Sequence, residues 1–162
     1  MSGFVILGIV AALMIFRFFA RRKYKKQGIE NGDIIEREKA FWEDEEVLFT
    51  TASYEDILSA IKKTDFRKAL VTITPNINGQ KVVLFQNKTF GFNAILQYNG
   101  KQNNEHEYVF CFPSWTTRNY TVPGEGMMNI LMTTVEKMFL ILDPDTEAEV
   151  HRMKATTKTR FI

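Results

Sequence analysis

The sequence predicts an α+β protein: a single N-terminal transmembrane helix followed by one small two-layer domain, in which an antiparallel meander sheet is covered by a long C-terminal helix and a shorter, strand-linked helix. Three observations predict it. Gly3 to Ala20 form a nearly unbroken apolar run that stops at Arg21-Arg22-Lys23-Tyr24-Lys25-Lys26. Four strand-like segments between 69 and 112 are joined by short connections, and a parallel pair would need a crossover of about a dozen residues. Apolar residues then recur at three- and four-residue spacing from Met128 to Leu142, which is helical periodicity.

The apolar run comes first. At about 1.5 Å per residue it makes a helix roughly 27 Å long, close to the hydrocarbon thickness of a bilayer. A secretory signal peptide carries its positive charge before the apolar stretch and small residues at a cleavage site. Here Met1 and Ser2 have no charged side chain and the basic residues follow the run, so the helix is expected to be retained. Arg17 lies close enough to the basic cuff for its side chain to reach the same headgroup layer. Arg17, Arg21, Arg22, Lys23, Lys25 and Lys26 are thus the expected membrane-interface residues. The bilayer is the first expected partner, with each basic residue near an anionic surface contributing about 1 kcal/mol. The asymmetry of Lys and Arg places the N-terminus outside and the rest of the chain in the cytoplasm.

Residues 1–26 form the anchor, 27–45 a linker and amphipathic neck, and 46–162 the cytoplasmic α+β domain. In the neck, Gly28 and Asn31-Gly32 interrupt any helix continuing from the membrane. Asp33 with Glu36 three residues on looks like a capping box, which predicts a helix from Ile34 to about Asp44 with Ile34, Ile35, Phe41 and Trp42 on one side. Val47 to Thr51 reads as a short strand. Ser53 then reads as an N-cap with Asp56 at the third position of a helix over Tyr54 to Lys63, and the two lysines at its end suit the negative pole of the helix dipole.

Ala69 to Thr74 and Lys81 to Gln86 read as a hairpin turning at Asn78-Gly79. Phe90 to Tyr98 alternates apolar and polar residues, as a half-buried strand does. Asn99-Gly100 opens the turn to a last strand over Tyr108 to Phe112. Pro123-Gly124-Glu125-Gly126 opens the long helix and Asp143-Pro144 ends it. Asn129, Thr133, Thr134, Glu136 and Lys137 make that helix too polar for a second span, and its methionines are read as core. The tail from 145 to 162 carries no element signal.

The residues that could carry chemistry are few. Residues 27–162 hold fifteen Lys and Arg against nineteen Asp and Glu, a net charge of −4, which argues against nucleic acid as a partner. A lone cysteine, Cys111, cannot close an internal disulfide. Between Phe110 and Phe112 it is expected to be buried and inert. His106 and His151 belong to no zinc-ligand spacing, and Glu43 to Glu46 read as a solvated acidic face. No catalytic residue, metal ligand or cofactor is expected.

The remaining stretch of interest is Pro113 to Val122, which brings Trp115, Arg118 and Tyr120, residue types typical of binding hot spots, into an irregular loop. The expected function is a non-enzymatic, membrane-anchored interaction or adaptor module that contacts a protein partner or a second copy of itself. The alternative is a membrane-bound hydrolase or transferase with a site built from scattered polar residues.

Overall fold

The computed structural model describes residues 27–152; the predicted membrane helix, its basic cuff with Arg17, and residues 153–162 lie outside them. The chain divides into two compact units after Glu36. In the first, residues 27–30 are helical and the helix ends where Gly32 takes a left-handed φ of 70°. Asp33 N donates to Gly28 O (2.8 Å) and Gly32 N to Ile29 O (3.0 Å). This nested pair is the Schellman exit that a left-handed glycine permits.

Asp33 therefore finishes a helix and does not start one, and the predicted helix over Ile34 to Asp44 does not form. Only a 3₁₀ turn over Phe41–Glu43 interrupts the irregular chain before β1 (Asp44–Thr50) begins. The acidic residues Asp44, Glu45 and Glu46 are poor strand formers by propensity, but β1 has a neighbour on each side, and the two ladders of hydrogen bonds override propensity.

The second unit, from Arg37 onward, is an α+β fold with a six-stranded antiparallel sheet and a C-terminal helix. After β1 come α1 (Tyr54–Lys63), β2 (Thr72–Pro75), β3 (Val82–Asn87), β4 (Phe92–Gln102), β5 (Glu105–Trp115), α2 (Glu125–Leu142) and β6 (Glu147–Arg152). Strands β2 to β5 are the predicted meander. The sheet continues as β2-β3-β4-β5-β1-β6, so β1 returns to the far side of β5 and the polar tail segment supplies the edge.

Alternation sorts the side chains onto two faces. Glu46, Leu48 and Thr50 of β1 lie beside Phe110, Tyr108 and His106 of β5, and Leu96 and Tyr98 of β4 continue the same face. Both helices cover it. The ring of Phe139 in α2 meets Tyr108 at 5.3 Å, and that of Tyr54 in α1 meets Tyr98 at 5.9 Å. Tyr108, Phe110, Phe112, Phe85, Val83, Leu96, Ile57, Leu131, Val135 and Met128 are essentially sequestered from solvent there.

The helices begin and end as their sequences dictate. Ser53 and Asp56 form a reciprocal capping box on α1. At the start of α2, a Cβ on Gly124 would stand 2.9 Å from Phe92 Cδ1, so only glycine lets the helix enter this close to the sheet. At its end the Asp143 carboxylate accepts from Thr51 N (2.7 Å), Thr51 Oγ1 (2.8 Å) and Thr50 Oγ1 (2.9 Å). These donors tie α2 to the end of β1 and hold the acid down to about pKa 2. The Met-rich face of α2 is core as predicted, with Leu140, Ile141 and Leu142 left exposed at its last turn. Among the described residues, no helix is long and apolar enough to cross a membrane.

Candidate interaction surfaces

The predicted contact residues separate into a wall and a tip. Trp115 is the last residue of β5 and pairs with Phe92, which places it half-buried on the helix-covered side. Beyond it the chain makes a tight reversal. Arg118 N donates to Thr121 O (2.8 Å) and Thr121 N donates back to Arg118 O (2.9 Å). The two residues between them, Asn119 and Tyr120, have φ of 47° and 60°, the left-handed pair that a type I′ turn requires. Asn tolerates that region, whereas an aromatic residue seldom occupies it. Tyr120 is 98% exposed. Arg118 and Tyr120 thus share the tip, and Trp115 stands back from it.

The interior holds a charged cluster that includes Glu46, although Glu43 to Glu46 read in the sequence as a solvated acidic face. It is 3% exposed. Arg37 donates to Glu136 Oε2 (2.5 Å) and to Thr133 Oγ1 (3.3 Å) on α2, and Glu46 faces Glu136. Burial, then the charge of Glu136 and a hydrogen bond with it, push the Glu46 acid up to about 8, with Arg37 pulling the other way. Arg37 Nε and Glu46 Oε2 are buried without a hydrogen-bond partner among the described residues. A neutral, protonated Glu46 is the form such a site accommodates most cheaply. The alternation of Asp44, Glu46 and Leu48 is the signal that could have placed Glu46 inside.

The other residues considered for chemistry have structural partners. Cys111 is buried and its thiol is pushed up to about 11, first by burial and then by Glu45; register puts it beside Glu45 and Ile95, on the sheet face away from the helices. His106 Nδ1 lies 2.9 Å from the Tyr98 hydroxyl, and His151 Nε2 lies 3.3 Å from Glu149. Among the described residues no group of His, Cys, Asp and Glu is arranged to hold a metal ion.

The face of the sheet opposite the helices is the second surface. It carries a shallow concavity of about 590 Å³, floored by Val47, Phe49 and Val109 and bordered by Glu45, Glu107, Glu149 and His151. No protein-family profile, curated protein or solved structure matches the chain.

Proposed function

We propose that this protein is a membrane-anchored, non-enzymatic interaction module. Its Gly3–Ala20 helix crosses the bilayer, Arg17 and the cuff from Arg21 to Lys26 sit at the cytoplasmic headgroups, and the α+β domain faces the cytoplasm. The domain contacts a protein partner through the tip formed by Arg118 and Tyr120, with Trp115 supporting it. The observation that carries this reading is the exposure of Tyr120 in a backbone conformation unfavourable to aromatic residues. Strain of this kind persists where the surrounding structure enforces it, and it clusters at ligand-contacting positions. An amphipathic ring and a guanidinium on one rigid turn supply contact area with little entropy left to lose on binding.

The test is capture of partners from solubilised membranes by the full-length chain, with Arg118→Ala/Tyr120→Ala as the comparison. The double substitution should weaken capture by about 1–3 kcal/mol per lost hot spot while leaving the thermal transition in place. Identical capture by both proteins would remove the tip from the function.

A further inference from the structure

The sheet face that neither helix covers has a charge pattern that its neighbours do not share. Register assigns Glu45, Val47 and Phe49 of β1 to this face, beside Cys111, Val109 and Glu107 of β5 on one side and His151, Glu149 and Glu147 of β6 on the other. Ile95 and Leu84 continue the apolar band across β4 and β3. Among the described strand residues, no Lys or Arg shares this face with these Glu. The six strands contain only two such residues, Lys101 and Arg152. Lys101 pairs in register with His106 and Arg152 with Asp44, both on the opposite face. Lys81, just before β3, turns its ammonium over the rings of Tyr54 and Tyr98, also on the helix side.

An antiparallel sheet with one solvated face ordinarily alternates apolar residues inward with polar residues outward. Phe49, Val82, Leu84, Ile95 and Val109 break that pattern, because they stand half-buried on the outward face, which neither α1 nor α2 covers. The result is an apolar floor with a rim of carboxylates, beside which His151 stands 3.3 Å from Glu149. Such a rim repels an anionic bilayer and raises the local concentration of cations.

We infer that the open sheet face docks a basic amphipathic segment of a partner protein, its apolar side chains on the floor around Val47, Phe49 and Val109 and its Lys or Arg side chains on Glu45, Glu107 and Glu149. This surface is separate from the turn at Tyr120. It shares with the proposed function only the premise that the domain binds.

The experiment titrates the full chain, in nanodiscs of uncharged phosphatidylcholine, with a fluorescent synthetic peptide of alternating Lys and Val and with its Glu-Val counterpart. The Lys-Val peptide should bind, more weakly as salt is raised, and the Glu-Val peptide should not. Exposed ion pairs each contribute little, so Glu45→Gln/Glu107→Gln/Glu149→Gln together should weaken the Lys-Val peptide about tenfold while the circular dichroism spectrum and melting curve stay in place. Absence of binding, equal binding of the two peptides, or undiminished binding by the triple variant would each overturn the assignment. Binding that emerges only after residues 153–162 are removed would also overturn it, by giving the face to the chain's own Lys154, Lys158 and Arg160. Neither arm depends on Arg118 or Tyr120, so failure here and failure of the tip are read separately.

Discussion

Glu46 shows how strongly one position can tie stability to pH. Its partner on β6 is Val150; two residues along, Asp44 and Arg152 pair at 3.3 Å, and α2 and the preceding segment present Glu136 and Arg37. With an ordinary value of 4.5 raised to about 8 by burial and Glu136, the folded chain holds a proton that the unfolded chain releases. The contribution of this proton is complete below about pH 4.5 and is lost as pH rises to about 8, at up to about 1.4 kcal/mol per pH unit. Glu46→Gln keeps the shape and the hydrogen bond without the ionisation. Its urea midpoint should stay nearly level from pH 5 to pH 8, where that of the natural protein falls; parallel curves would show that Glu46 ionises inside the fold at no cost.

At the scale of elements, the turn between β5 and α2 sets stability against contact. Placing a non-glycine residue in the left-handed region costs on the order of 1 kcal/mol. Tyr120→Gly should therefore raise stability by about 1 kcal/mol in equilibrium denaturation while reducing partner capture; a loss of stability would mean that the ring packs onto the domain. The elements the sequence made plain were those whose signals are local. The capping pair Ser53 and Asp56 marked α1, the Asn-Gly turn at 78–79 marked a hairpin, and the apolar spacing of Met128 to Phe139 marked α2. The helix expected over Ile34 to Asp44 failed because Asp33 and Glu36 mimic a capping box, while Asp33 closes the helix that Gly32 ends and, from Asp44 on, the ladders with β5 and β6 decide. Strand β6 was hidden for the same reason. Glu147 to Arg152 is exposed throughout, and only pairing with β1 makes it a strand. Of the candidate surfaces, the residue types at the tip were legible, and Asn119 ahead of Tyr120 was a usable sign of a left-handed turn. The open face was missed, although the period-two series Glu45-Val47-Phe49, Glu107-Val109-Cys111 and Glu147-Glu149-His151 all write it out.

For the whole molecule, orientation across the bilayer is the first quantity to measure, and the structure supplies a clean reporter. The native thiol of Cys111 is buried and little ionised, so Tyr120→Cys gives a chain with one reactive cysteine. It should react with a membrane-impermeant maleimide only after cells are permeabilised, and labelling of intact cells would reverse the proposed topology. The sheet's edges are guarded. Pro75 closes β2 and charged side chains line β6, features that discourage edge-to-edge association. The position of β1 between β5 and β6 has a further consequence, in time. Val47 meets Val109 on one side and Glu149 on the other, so the first strand made is the one whose partners are made last. Translation at roughly 5–20 residues per second leaves Val47-Leu48-Phe49 unpaired for several seconds or more. During that interval the nascent chain displays an apolar strand with two open edges, available for non-native pairing until β5 and β6 arrive.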